Sequence, residues 1–180
     1  MRISILKKIW FLPILVVLLS FTQSDIGDQP SNENELKAHF TLNFPQYLTW
    51  NKEKESAKQY KIGVLTSDDK LLNAFQKIAK TKKIKGKSIV IQRLDSIPGK
   101  SQFHLIYIDH ITTKRLKQEL PNVASSNTVT VGNQSNFIYQ KGCINLVKRD
   151  NRYRFEINVK ELQNQKVKAS SQLLNLAINI

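Results

Sequence analysis

The sequence predicts one compact α/β domain: a mostly parallel sheet covered by helices, with a C-terminal antiparallel hairpin at its edge. Three observations lead there. The strand-length runs "YKIGVL", "SIVIQRL" and "FHLIYI" are almost continuously apolar, as strands buried on both faces must be. Segments of helical period separate them. Near the end, "CINLVK" and "RYRFEIN" flank "RDN", the pattern of a tight hairpin.

The elements follow in chain order. Arg2, Lys7 and Lys8 precede an uncharged apolar run of 13 residues, Ile9 to Phe21, and Thr22 and Ser24 supply small residues before Asp25. The run is shorter than the roughly 18 residues that a membrane span needs. Residues 1–24 therefore read as a cleaved secretory signal peptide, which places the mature protein in the periplasm. Residues 25–34, polar with Pro and Gly, read as a flexible leader, and residues 35–180 as the domain. Leu36, Phe40, Phe44 and Tyr47 recur at helical spacing, with Asn32 or Asn34 as the cap and Pro45 as the stop. "NKEKESAK" reads as a hydrophilic loop.

Tyr60 to Leu65 is the first strand of the α/β alternation. Ser67 or Asp68 opens a helix whose inward stripe is Leu71, Leu72, Phe75, Ile78 and Ala79. Ser88–Leu94 and Phe103–Ile108 are strands, "ITTKRLKQEL" is a helix stopped by Pro121, and Asn127–Val131 is a short strand. After the hairpin come "VKELQNQ" and "SSQLLNLAI", two short helices, the second capped by Ser170.

Composition bounds the function. The chain of 180 residues carries 28 Lys and Arg against 14 Asp and Glu, a net charge of +14. Three of those basic residues lie in the signal peptide, so the mature chain of 156 residues retains +11. Six lysines crowd Lys77 to Lys87, "KIAKTKKIKGK", without an interleaved aromatic. Stacking platforms for nucleic acid interleave the two, so no nucleic-acid partner is expected. The run reads as a solvated helix end, with contact to a membrane surface as the alternative.

Motifs for chemistry fail in turn. Both "GKS" triplets lack the earlier glycine of a phosphate loop, because Thr81 and Leu94 stand in its place. No dinucleotide fingerprint follows a strand. His39 and His104 lack second ligands at metal-binding spacing, so no metal or cofactor is expected. Asp109 and His110 lie past the carboxyl end of a strand, where open α/β sheets bind ligands; capping by Asp109 or Thr112 beside an exposed His110 is the competing reading. Cys143, the single cysteine, opens an apolar strand and reads as buried rather than nucleophilic. No catalytic residues are assigned, and no enzyme is expected.

Several stretches resemble the YfiR family of exported bacterial proteins. Gly142-Cys143-Ile144-Asn145-Leu146-Val147, then Arg154-Phe155-Glu156-Ile157-Asn158, then Ser170-Ser171 through Ala177 are similar to its C-terminal signature. Lys37 to Phe44 with Trp50, Tyr60 to Leu65, and Val129 to Gly132 resemble its opening helix and two of its strands. The resemblance spans residues 35–180 and implies a non-catalytic periplasmic α/β protein, often a homodimer. Its partner would be an inner-membrane signalling protein, a diguanylate cyclase or a sensor kinase, whose output it sets. Pro45 departs from the family helix, and one cysteine cannot make the internal disulfide that redox-responsive members carry. Physically, Tyr153, Phe155 and Ile157 should face the core while Arg152, Arg154 and Glu156 face out. Asn145 and Asn158 should tie strand ends to helix starts. A small-molecule sensor using Asp109, His110 and Gly132 is the alternative function.

Overall fold

A computed structural model describes residues 33–99, 102–111, 113–123 and 125–178. The signal peptide, the leader through residue 32 and Thr112 lie outside the described residues. Helix α1 (Glu33–Asn43) comes first, and Pro45, which cannot donate a main-chain hydrogen bond, turns the chain into a 3-10 segment, Phe44–Tyr47. The inward face of α1 is Ala38, Thr41 and Leu42, and Phe44 is buried after it. The expected stripe is thus rotated: Leu36, Phe40 and Tyr47 are only half-buried. The reason is that α1 packs on a neighbouring helix as well as on the sheet. Asn34 also does not cap; its Nδ2 donates to Asp68 Oδ2 at 3.0 Å.

A two-residue strand β1 (Leu48–Thr49) follows, and then a helical turn, α2 (Lys52–Glu55), where a loop was expected. Its cap is Asn51, whose Oδ1 accepts from the Lys54 N–H at 3.0 Å. Strand β2 (Gln59–Leu65) leads into α3 (Asp69–Thr81), capped by Asp68, with Leu71, Leu72, Ala74, Phe75 and Ile78 buried. Strands β3 (Ser88–Leu94) and β4 (Leu105–Ile108) come next, then α4 (Thr113–Glu119). Pro121 stops that α-helix at Glu119, and the chain runs on as a 3-10 segment, Leu120–Val123, much as it does at Pro45. The chain closes with β5 (Val129–Gly132), β6 (Ile144–Arg149), β7 (Arg152–Ile157), α5 (Val159–Asn164), β8 (Lys168–Ala169) and α6 (Ser171–Leu176).

The main sheet runs β3-β2-β4-β5-β6-β7; its first five strands are parallel and β7 is antiparallel. β1 and β8 form a separate antiparallel pair. Because side chains alternate along a strand, the sheet feeds two cores. Leu105 and Tyr107 join the core under α1 and α3, while Ile106 and Ile108 join the one under α4 with Leu116, Leu120 and Phe137. The hairpin turns on Asp150 and Asn151, both at positive φ (49° and 58°), as a two-residue turn matching sheet twist requires.

Candidate functional site

The parallel strands reverse their winding between β2 and β4: β3 lies to one side of that pair and β5 to the other. A crevice opens there at the carboxyl ends, as expected where helices on opposite faces diverge. Its volume is about 480 Å³, and Leu65, Thr66, Ser67, Arg93, Asp95, His110 and Arg115 are among its walls. His110 is exposed at this crevice. Asp109 is committed beside it, accepting from Thr66 Oγ1 at 2.8 Å and from Asn133 Nδ2 at 3.2 Å. Asp109 therefore braces β4 against the turns after β2 and β5. Gly132 is not part of the opening, since a Cβ there would lie 2.5 Å from the Phe137 ring.

Phe137 also explains Gly142. The ring fills the space where a Gly142 side chain would stand, 2.2 Å from a built Cβ. The chain then delivers Cys143 to the interior, where burial pushes its thiol up to about 11 against the opposing hydrogen bonds from Thr130; the Cys143 backbone N–H separately donates to the Thr130 hydroxyl at 3.1 Å. A thiol so raised is a poor nucleophile.

Along the hairpin Asn145 and Glu156 are register partners, and Asn145 Nδ2 donates to Glu156 Oε2 at 3.3 Å. Arg149 approaches the other oxygen at 3.5 Å. Arg154 is exposed opposite Val147, and Phe155 and Ile157 point inward, as their alternation predicts. Phe155 meets Phe44 edge-on at 5.1 Å, which joins the hairpin to the end of α1. Asn158 caps α5 through the Glu161 N–H at 2.9 Å and donates its Nδ2 to the Ile138 carbonyl at 2.9 Å. Ser170 caps α6 through the Leu173 N–H at 3.2 Å, and Ser171 is the exposed first residue of that helix. Gly142 through Asn158 thus form one neighbourhood, to which Phe44 belongs. Asp109 and His110 form another.

Trp50 lies elsewhere, buried and edge-on to Tyr60 (5.9 Å) and His104 (5.6 Å). It borders a feature that the sequence did not announce. The Lys54 ammonium donates to the Phe103 carbonyl at 2.5 Å, Asn127 carbonyl at 2.7 Å, Ser126 carbonyl at 3.1 Å and Thr128 Oγ1 at 3.1 Å. Burial lowers this lysine to about 8, against the upward pull of Glu53. His104 is buried under it: its Nδ1 accepts from the Lys61 N–H and its Nε2 lies 3.1 Å from the Lys54 carbonyl, an arrangement that requires a neutral ring with the proton on Nε2. The signal for this cage was a lysine whose neighbours are all hydrophilic, and such a signal is indistinguishable from a solvated loop.

The lysine run is likewise structural in part. Lys77 pairs with Glu35, Lys82 donates to Asn43 Oδ1, and Lys85 donates to the Leu48 carbonyl and Glu55. Lys87 donates to the Glu55 carbonyl and lies 5.8 Å from the Tyr60 ring centre. Lys80 and Lys83 are exposed. Among the described residues no group of three His, Cys, Asp or Glu is placed to hold a metal, and no helix is long and apolar enough to cross a membrane.

A search of curated proteins returns no match. Among solved structures, a conserved domain protein from Vibrio cholerae O1 biovar eltor superposes with a TM-score of 0.55 at 10% identity, over 81% of this chain and 59% of that one. The chain therefore spans less than two thirds of that relative, and the likeness shows the fold. An ABC domain from Streptococcus pneumoniae, solved in complex with L-Trp, gives a TM-score of 0.45 at 14% identity, over 66% of this chain and 54% of that one. A family model described as YfiR/HmsC-like matches residues 34–178, from the first helix to the strand segment beyond α6. That family is regulatory rather than catalytic and generally periplasmic. The chain belongs to the YfiR/HmsC-like family.

Proposed function

We propose that the mature protein is a non-catalytic regulatory module that binds the periplasmic part of an inner-membrane diguanylate cyclase or sensor kinase and sets its output. The observation that carries this reading is the family match across residues 34–178, which takes in every strand and helix of the domain. The residues that chemistry might have used support it. The Cys143 thiol is buried and raised, Asp109 is bound on both oxygens, and His104 is locked on both nitrogens. What remains for recognition is the outer surface. The signal-peptide pattern of residues 1–24, basic residues ahead of the apolar run Ile9 to Phe21, supports export to the compartment where such a partner presents its sensor domain.

The test is a pull-down of purified protein against the membrane cyclases and kinases encoded beside its gene, together with a gene deletion. Capture of one of them and a changed cyclic-di-GMP or kinase output are expected. An unchanged output on deletion would overturn the reading. A second reading, a small-molecule sensor domain, is favoured by the crevice of about 480 Å³ at the winding reversal, a volume within the range of ligand sites.

A further inference from the structure

Resting on that second reading, we infer that the crevice at the carboxyl ends of β2, β3 and β4 binds a small organic anion, a carboxylate or phosphate monoester with a short apolar body. Four features of its walls bear on that chemistry.

First, guanidinium groups stand on two separate elements, Arg93 at the end of β3 and Arg115 on α4. Each is oriented by a carboxylate behind it: Arg93 Nη2 donates to Asp69, and Arg115 Nε donates to Glu119 Oε1 at 2.6 Å while its Nη2 reaches the Asp95 carbonyl. A guanidinium carries five donors in a fixed plane, so one held edge pre-sets the direction of the rest. Second, the turn into α3 reaches this rim through Ser67, and the amino end of the helix itself is already occupied by the Asp68 cap. Third, Ser67, just ahead of the Asp68 cap, and His110 both line the opening as exposed polar residues. Fourth, the floor is apolar, made by Leu65, Leu94 and Ile111. A polar rim over an apolar floor fits an amphiphilic molecule rather than a bare ion.

The carboxylates nearby are accounted for. Asp109 and Asp68 accept hydrogen bonds from protein donors, and Asp69 and Glu119 serve the two arginines. Asp95 alone contributes its carboxylate to the lining as an exposed group. It opposes an anion, so its neutralisation must tighten binding if the assignment is right.

The experiment uses the mature protein and four probes of one size: phenyl phosphate, benzoate, benzyl alcohol and benzylamine. Calorimetry measures affinity, and amide chemical-shift mapping locates the site. Phenyl phosphate and benzoate are expected to bind saturably, shifting Ser67, His110 and the start of α3. Arg93→Gln should weaken phenyl phosphate by about tenfold or more, because a charge-assisted hydrogen bond is lost. Arg93 is a surface residue, so this variant folds; Ser67→Ala should act in the same direction, and Asp95→Asn in the opposite one. Binding of benzyl alcohol or benzylamine in the crevice without the anions would overturn the anion assignment and leave the sensor reading standing. Anion shifts that map elsewhere, or an unaltered affinity in Arg93→Gln, would overturn the site. Failure of all four probes would remove both.

Discussion

At the scale of the residue, one side chain keeps to what its type suggests and another departs from it. Cys143 sits in a segment where a nucleophile could be imagined, yet its surroundings hold the thiol protonated. With dithionitrobenzoate near pH ~8, native protein is expected to show no labelling, and urea-unfolded protein one equivalent; rapid native labelling would show the thiol to be accessible. Lys54 reads as a solvent group and is a tether. It gathers the carbonyls of Phe103, Ser126 and Asn127 and so fixes the chain leading into both β4 and β5. Lys54→Met keeps the stem and removes the donors, leaving those acceptors unsatisfied. Urea titration should register a loss of about 3 kcal/mol, the upper end for a buried acceptor stripped of its partner. A loss no larger than that of Lys80→Met, an exposed control, would show that water replaces the ammonium freely. The burial of Cys143 was legible in the sequence, but the tether of Lys54 was not, because it depends on atoms distant in the chain.

At the scale of the element, helix starts and strand alternation were legible. Asp68, Asn158 and Ser170 cap α3, α5 and α6, each doing so with a short acceptor immediately ahead of an apolar-periodic run. Asn158 has a second duty, since its amide also donates to the Ile138 carbonyl and thereby holds α5 against the segment before Gly142. Asn158→Ala is expected to cost about 1–2 kcal/mol in a thermal or urea titration, the range of a lost cap, and Asn158→Asp, which keeps the acceptor but not the donor, should recover about half of it. Equal stability of all three would show that solvent caps the helix unaided. The elements misread have separate causes. In α1 the buried face turned toward Ala38, Thr41 and Leu42 because a second helix competes with the sheet for contact. In α2 four residues form a turn too short to show any period.

At the scale of the whole molecule, an ion pair and a hydrogen bond, both to Glu33, tie the first helix to the last hairpin, and this gives the fold an acid-sensitive seam. The Glu33 carboxyl is held down at about 2, first by the hydrogen bond from Lys37 and next by that from Tyr153. Lys148 on β6 also approaches it at 3.6 Å. Asp68, Glu55 and Glu119 are likewise below their ordinary values: the Lys70 N–H lowers Asp68, while for Glu55 and Glu119 the donors outweigh the upward push of burial. A carboxyl with a depressed folded pKa binds fewer protons than its unfolded counterpart. Its contribution is therefore complete above about 4.5 and is lost as pH falls from there toward 2. The urea midpoint should decline steadily across that interval, and Glu33→Gln should lower the midpoint at neutral pH and flatten part of the decline, because the contribution that acid removes is then absent throughout. A midpoint in Glu33→Gln that falls as steeply as in the parent would remove Glu33 from this account.

The sequence by itself determined the class of fold, the strand at Ser88–Leu94 and the one opening at Arg152, the cap at Ser170 and the inward position of Cys143. Each of these is written in local periodicity or in a residue's own solvation preference. Only the tertiary structure decided that Phe137 occupies the space beside Gly132 and Gly142, that Lys54 is caged by carbonyls from two distant segments, and that Arg93 and Arg115 face one crevice across the winding reversal. Those arrangements join groups far apart along the chain, and a local pattern carries no information about which remote atoms will fill a given space or satisfy a given donor.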